Sequence, residues 1–245
     1  MTPRKGAVLS IDSTSVQDYV KAIYAFTEWQ GGAVTATHLA ARLSVANSSV
    51  TEMVAKLVDL GLAHHRKYGP VSLTGDGEQL ALAMIRRHRL IETFLVSELG
   101  YGWDEVHDEA ELLEHTVSEA FIERLDAKLG RPSRDPHGDP IPSSDGSVRY
   151  PDAHRLDRLD EGHHGRLVRV SDDDPAVLRF LERHGIGLDS HLVVTERRLG
   201  SMLLDVPAGT AGAAHPLAVD DDHTRALWLE TTEQHDGCSM EATSA

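Results

Sequence analysis

The chain has 245 residues and a formal charge of −15 at pH 7, with 39 acidic and 24 basic side chains. This length suits two or three domains, no segment is long and apolar enough to span a bilayer, and the first ten residues lack the apolar core of a signal peptide. The single cysteine, Cys238, excludes an internal disulfide and a cysteine-based zinc cluster. We therefore expect a cytoplasmic protein whose metal ligands, if any, are His and carboxylate side chains.

The charge is unevenly distributed along the chain. Residues 1–75 carry seven basic and five acidic side chains, whereas the remaining residues carry 17 basic and 34 acidic ones. Binding to phosphate depends on nearby Lys and Arg, so the mildly basic first segment is compatible with DNA. The acidic remainder is where a bound cation would relieve repulsion.

Residues 1–74 predict a winged helix-turn-helix. Apolar residues at helical spacing, a turn and a weakly alternating segment follow one another in the order that this motif requires. The expected elements are a helix over 15–30, a short helix over 35–43, a helix capped by Asn47 or Ser48 that runs to Leu60, and a two-stranded wing over 62–73.

Residues 75–147 predict a helical domain. Thr74 begins a long helix that ends near Gly100, Asp104 caps the next helix, and Ser118 caps a third that ends at Gly130. These helices are apolar over more than one stripe, which indicates packing against a second subunit in a homodimer.

Residues 148–231 predict a linker and a small SH3-like β-barrel, which makes the fold class α+β. The segment 131–160 is rich in Pro, Gly, Ser and Asp and is expected to be irregular. Five short strands are expected near 166–171, 192–197, 202–206, 215–219 and 226–230, with a helical turn over 175–184. Residues 232–245 lack apolar periodicity and predict a disordered tail.

The segment from His107 to His115 contains ligand-type side chains at helical spacing. In a helix Glu111, Glu114 and His115 converge on one face, with His107 one turn before Glu111. Two carboxylates and an imidazole suit a divalent cation. An acidic, solvent-exposed amphipathic helix without a metal is the alternative interpretation.

Four motifs occur in order along the chain: DYVKAIY at 18–24, RHRLIE at 87–92, VHDEAELLEH at 106–115 and DPHGDPIP at 135–142. With them the chain resembles the diphtheria-toxin-repressor family of metal-dependent transcription regulators over about residues 10–231. The resemblance implies a winged helix-turn-helix, a helical dimerisation domain and a C-terminal SH3-like domain. It also implies a repressor, and not an enzyme, that binds double-stranded operator DNA as a homodimer.

The resemblance implies two metal sites. The primary site falls on Asp18, Glu111, Glu114 and His115. The iron-sensing branch has Met and Cys at the first two positions and the manganese-sensing branch has Asp and Glu, so this chain is expected to respond to Mn²⁺, with Fe²⁺ as the alternative. Lys21 departs from the small manganese regulators, which have a Glu ligand there, and this argues against their two-ion arrangement.

The ancillary site implied by the resemblance falls on His88, Glu92 and His107, completed by Asp174 from the SH3-like domain. Arg89 and the loop 135–142 match a place where the iron-sensing branch organises an anion. Asp135 and Asp139 argue against an anion in this chain. We interpret His137, in the same loop, as a turn residue.

The recognition helix presents small polar side chains, which can approach a DNA groove closely. The expected groove-facing residues are Ser48, Ser49, Thr51 and Glu52, and the expected phosphate contacts are Lys56, Arg66 and Lys67.

Three alternative functions remain open from the sequence. The winged domain could serve protein contacts instead of DNA binding. A metal-dependent hydrolase is a second alternative, although the His-Glu-x-x-His helix and the nucleophile elbow are absent. The barrel could bind proline-rich peptides, but Trp228 is its only Trp or Tyr.

Overall fold

The computed structural model describes residues 13–29, 32–66, 69–206 and 215–231. These residues form two compact units. The first contains the residues up to 88 with 113–122 and 142–148, and the second contains 89–112, 123–141 and the residues from 149 onward. The expected phosphate contact Lys67 and the expected disordered tail 232–245 lie outside the described residues, and the domain limits given above stay predictions.

The first unit begins with the predicted winged helix-turn-helix. Its elements α1, α2, α3, β1 and β2 span Thr14–Glu28, Ala36–Arg42, Asn47–Asp59, Ala63–His65 and Val71–Leu73. The two strands are antiparallel, as a wing requires. Side chains of α1 and α3, among them Val20, Ile23 and Val54, are buried in one apolar cluster, so these two helices share a core.

The predicted caps of the recognition helix α3, Asn47 or Ser48, are wrong, because both residues are already inside the helix. Ala46 occupies the N-cap and Asn47 is already helical, so no side chain bonds to the free amides of the first turn. Residues 44–49 are exposed to solvent, and water can satisfy those amides without a polar cap.

Three helices follow the wing. Helices α4, α5 and α6 span Gly75–Leu99, Val106–Glu114 and Glu119–Lys128. The predicted cap Ser118 is confirmed, because its Oγ accepts a hydrogen bond from the amide of Phe121 at 3.3 Å. Helix α5 ends at Glu114, so His115 is the first residue beyond it.

The C-terminal part of the second unit is a six-stranded antiparallel sheet in the order β3-β8-β4-β5-β6-β7. Its strands β3 to β8 span His154–Arg155, His164–Val170, His191–Arg198, Ser201–Val206, His215–Asp220 and Leu227–Glu230. Helices α7 and α8 span Pro175–Arg183 and Asp221–Arg225. The five predicted strands are confirmed, whereas the two-residue β3 is too short for a pattern to indicate. Side chains of the sheet and of α7 form one apolar core.

None of the helices in the described ranges combines the length and apolarity needed to cross a membrane.

The beginning of α4 is hydrogen-bonded to the residues that follow the recognition helix α3. The Thr74 hydroxyl donates to the carbonyl of Gly61 at 2.7 Å, and its amide donates to the carbonyl of Leu62 at 3.0 Å. A Cβ on Gly77 would lie 2.0 Å from that Leu62 carbonyl oxygen, whereas a Cβ on Gly75 would meet nothing within 4 Å. Two glycines of one helical turn therefore have opposite steric environments.

We predict that Gly77→Ala lowers the free energy of unfolding by about 3 kcal/mol, because the backbone of Leu62 must move to admit the methyl group. Gly75→Ala is the matched control and should be neutral or raise stability by about 0.5–1 kcal/mol, the helix propensity gain. Chemical denaturation of both variants is the measurement. Equal stabilities would contradict the close contact at Gly77.

Candidate metal centre

The first unit contains a cluster of potential ligands where α1 meets the end of α5. Asp18 lies on α1, Glu114 ends α5 and His115 follows it. The Nε2 atom of His115 is 2.9 Å from Asp18 Oδ1 and 3.5 Å from Glu114 Oε1. Ligand atoms of these three residues lie within 4.8 Å of one another, so one divalent ion could contact all of them. We call these three residues the Asp18 cluster.

Two further side chains flank the Asp18 cluster. Gln17 Oε1 lies 2.8 Å from the Nδ1 atom of His115, which fixes the ring and leaves Nε2 directed at Asp18. A ligating imidazole commonly has its second nitrogen held in this way. His88 on α4 has its Nδ1 atom 2.6 Å from Glu114 Oε2, so this predicted ancillary ligand contacts a residue of the predicted primary site.

Glu114 is a carboxylate almost without solvent contact, since its side chain is 1% exposed. Burial raises its pKa, but the hydrogen bond with His88 and the charge of Lys21 outweigh burial and hold the pKa below its usual value. Glu114 is therefore ionised at neutral pH and available to a cation.

A second group of ligand-type side chains lies in the second unit. The Nδ1 atom of His107 is 3.0 Å from Asp172 Oδ2 and 3.3 Å from Glu92 Oε1, and its Nε2 atom is 3.5 Å from Glu111 Oε1. Burial opposes the charged form of His107, but its hydrogen bonds to Asp172, Glu111 and Glu92 raise its pKa to about 12. The protonated His107 in turn holds the pKa of Asp172 well below its usual value despite burial. Three carboxylates thus surround one positive charge.

His137 completes this second group. Its side chain is 1% exposed, its Nε2 atom is 2.6 Å from the carbonyl oxygen of Trp103, and its Nδ1 atom is 4.0 Å from Glu92 Oε2. Among the described residues that Nδ1 atom has no hydrogen-bond partner. An imidazole that donates one N–H to a backbone carbonyl and directs the other nitrogen at a carboxylate has the usual arrangement of a metal ligand. Glu92, His137 and Asp172 bring ligand atoms within 4.8 Å, and we call them, with His107, the Glu92 cluster.

The structure changes the roles of three residues in the sequence-based assignment. Glu111 contacts His107 with a side chain that is 55% exposed, and within the described chain it belongs to no group of three converging ligands. Asp174 caps α7, accepting from the amide of Ala176 at 2.8 Å, and Asp172 is the acidic residue of that segment that reaches His107. His137 is buried between ligand-type groups, so its interpretation as a turn residue is incomplete.

The loop 135–142 has internal counter-charges. Arg89 donates to the carbonyl of Pro140 at 2.7 Å and lies 3.6 Å from Asp135 and 3.4 Å from Asp139. Asp139 also accepts from Arg169 at 2.7 Å. The arginine that an anion would need thus faces Asp135 and Asp139, and the expected absence of an anion there stays a prediction.

The exposed face of α3 carries the predicted DNA contacts. Ser48, Ser49, Thr51 and Glu52 are all exposed, and Lys56 is half-buried one turn further along the helix. Arg66 is exposed at the end of β1. These positions are accessible to a duplex.

Comparison with known proteins identifies the family. Residues 13–71 match the N-terminal DNA binding domain of iron dependent repressors, residues 74–143 match their metal binding and dimerisation domain, and residues 154–211 match the FeoA domain. The chain is 30% identical over 209 residues to the iron-dependent repressor IdeR of Mycobacterium leprae (strain TN), which covers 80% of this chain and 90% of that protein. The chain belongs to the iron-dependent repressor family. The FeoA match corresponds to the SH3-like sheet, so the predicted family and fold class are confirmed.

Solved structures that resemble this chain include a manganese-dependent repressor and an IdeR. A manganese-dependent transcriptional repressor in complex with manganese is 45% identical, with a TM-score of 0.84, and covers 89% of this chain and 100% of its own. An IdeR from T. acidophilum is 25% identical, with a TM-score of 0.74, and covers 88% of this chain and 97% of its own. The protein is therefore a metal-dependent repressor and not an enzyme, which makes the hydrolase alternative wrong.

We predict that the imidazole of His107 stays protonated over the whole range from pH 5 to 10 in the metal-free protein, since its folded-state pKa is about 12. Asp172→Asn removes the contact that raises this pKa most, so the ring should titrate at a lower pH in that variant. Histidine chemical shifts followed by NMR from pH 5 to 10 would measure both. A wild-type His107 that titrates near pH 6.5, about the value of a free imidazole, would contradict the assigned contacts.

Proposed function

We propose that this protein is a manganese-dependent transcriptional repressor that binds operator DNA as a homodimer. The observation that carries the proposal is the donor set of the Asp18 cluster and the Glu92 cluster, which consists of carboxylate oxygens and imidazole nitrogens without sulfur. Such donors suit Mn²⁺, whereas Cys and Met favour softer ions. The similarity to a manganese-dependent repressor with bound manganese supports the same metal.

An iron(II)-dependent repressor is the second candidate. Relatives named as iron-dependent repressors, such as the Mycobacterium leprae protein, favour it. The same oxygen and nitrogen donors bind Fe²⁺ more tightly than Mn²⁺ in general, so the metal available in the cell contributes to the choice. We infer manganese because position 18 is Asp and position 111 is Glu.

The Asp18 cluster links metal binding to the DNA-binding domain. Asp18 is on α1, which shares an apolar core with the recognition helix α3, whereas Glu114 and His115 are at the end of α5. When bound, a divalent ion would supply positive charge that holds these ligands together. Asp18, Glu114 and His115 then fix α1 relative to the end of α5, and α1 carries α3 with it.

Two recognition helices in a homodimer must match half-sites about one turn of DNA apart, roughly 34 Å. Fixing α1 in each subunit therefore favours one spacing of the two α3 helices. Ser48, Ser49, Thr51 and Glu52 would face the groove, and Lys56 with Arg66 would reach phosphates. A repressor with these contacts acts in the cytoplasm, on operators that control metal homeostasis genes.

Metal and DNA affinities are coupled in this proposal. Metal ligands that are better arranged in the DNA-competent state bind the ion more tightly in that state, and the ion shifts the population toward it. Thermodynamic linkage then requires DNA to tighten metal binding by the same factor.

We predict that Glu114→Gln raises the Mn²⁺ concentration needed for operator binding by roughly 100-fold, because an amide is a much weaker ligand than the buried carboxylate. The matched control is Asp108→Asn, which removes one charge from an exposed position of the same helix. Mobility-shift titrations with Mn²⁺ and Fe²⁺ in parallel, on a duplex selected from random sequences, are the measurement.

For the Asp108→Asn control we expect operator binding at the same Mn²⁺ and Fe²⁺ concentrations as for the wild type. An unchanged metal response in Glu114→Gln would remove the Asp18 cluster from the mechanism. A wild-type protein that binds the duplex only with Fe²⁺ would favour the iron-dependent alternative.

A further inference from the structure

A lysine ammonium group occupies the interior side of the Asp18 cluster. The Nζ atom of Lys21 lies 2.8 Å from Oε2 and 3.0 Å from Oε1 of Glu114, and 3.1 Å from Nδ1 of His88. The Lys21 side chain is 16% exposed and that of Glu114 is 1% exposed. Both oxygens of this carboxylate are therefore in contact with a positive charge that belongs to the chain itself.

The position of Lys21 follows from its helix. Asp18 and Lys21 are three residues apart on α1, so they lie on the same face, which packs toward the end of α5. Asp18 contacts His115 and Lys21 contacts Glu114, the residue before it. One turn of α1 thus presents a potential ligand and a cation to two adjacent residues of the same cluster.

We propose that Lys21 is a resident cation that sets the metal affinity of the Asp18 cluster by competing with the divalent ion for Glu114. This inference rests on the proposed function, because it requires the Asp18 cluster to bind a metal. In the metal-free protein the Lys21 ammonium contacts both oxygens of the buried Glu114 carboxylate and offsets its negative charge. In the metal-bound protein the same ammonium lies beside a divalent cation and repels it.

The two effects act in the same direction on metal affinity. Lys21 stabilises the metal-free state through its bonds to Glu114, and it destabilises the metal-bound state through repulsion. Both weaken binding, so the concentration at which the metal occupies the cluster rises. The consequence is a sensor that responds only when the free metal concentration is high enough to compete with an internal cation.

A purely structural role for Lys21 predicts the opposite sign. If the lysine only held Glu114 in a binding orientation, its removal would disorder the ligand and weaken metal binding. The direction of the change in affinity therefore separates the two roles. Lys21→Gln keeps a hydrogen-bond donor but removes the charge, and Lys21→Arg keeps the charge.

The test is calorimetric titration of the metal-free full-length chain with Mn²⁺, together with thermal unfolding of each protein without metal. The set consists of the wild type, Lys21→Gln, Lys21→Arg and the matched control Lys128→Gln, which neutralises an exposed lysine 3.9 Å from Glu98. His115→Ala, alone and combined with Lys21→Gln, assigns the heat to the Asp18 cluster.

We expect Lys21→Gln to bind Mn²⁺ about tenfold more tightly than the wild type, because removing one nearby positive charge from a partly buried site commonly changes an ion equilibrium by about this factor. The melting temperature of Lys21→Gln without metal should be lower than that of the wild type. Lys21→Arg and Lys128→Gln should keep the wild-type affinity for Mn²⁺. When His115→Ala is combined with Lys21→Gln, the gain in Mn²⁺ affinity should disappear. Equal or weaker Mn²⁺ binding by Lys21→Gln would overturn the inference while leaving the proposed function intact. If the His115→Ala variant instead binds Mn²⁺ as tightly as the wild type does, the result would contradict the proposed function.

Discussion

Buried carboxylates are the constraint on which this molecule depends. The side chains of Glu92 and Glu114 are each 1% exposed, and an isolated ionised carboxylate in such surroundings is strongly unfavourable. In the metal-free chain Lys21 supplies a positive partner of Glu114, and protonated His107 supplies that of Glu92. The fold therefore contains two places where positive charge is required and where the chain provides it from its own side chains. A divalent ion that enters either place replaces or supplements a cation that is already there.

The position of the Asp18 cluster connects the weakly basic DNA-binding segment to the acidic remainder of the same chain. The ligands of the Asp18 cluster come from α1 and from the end of α5, and α1 shares its apolar core with the recognition helix. In the proposed function, an ion bound at that cluster would act on the position of the recognition helix through packed side chains instead of through DNA contacts. The Glu92 cluster lies in the second unit and draws its ligands from α4, α5, the loop at His137 and the segment after β4. Occupancy there would stabilise the second unit itself.

Much of the fold could be predicted from the sequence, because periodic apolar residues, glycine terminators and polar caps are local signals. The winged helix-turn-helix, the long helix from Gly75 and five strands follow from such signals. The site was harder, since its contacts join residues far apart in the chain. Lys21 and Glu114 are 93 positions apart, and no local pattern predicts their contact. Asp172, and not Asp174, contacts His107, because the irregular segment around them has no periodic pattern that tells which side chain points inward. The burial of His137 depends on how its loop packs, which no local pattern indicates. Helical spacing did predict that Glu114 lies beside His115 and that His107 lies one turn from Glu111, and both pairs are in contact.

If a bound ion couples the geometry of its ligands to DNA binding, the effect must be reciprocal, and DNA must also tighten ion binding. We would titrate Mn²⁺ into the wild-type protein with and without a selected operator duplex and follow free Mn²⁺ by electron paramagnetic resonance. We expect the duplex to tighten Mn²⁺ binding by the same factor by which Mn²⁺ tightens duplex binding, about 5- to 150-fold for a typical coupled system. An Mn²⁺ affinity that is identical with and without the duplex would contradict this coupling.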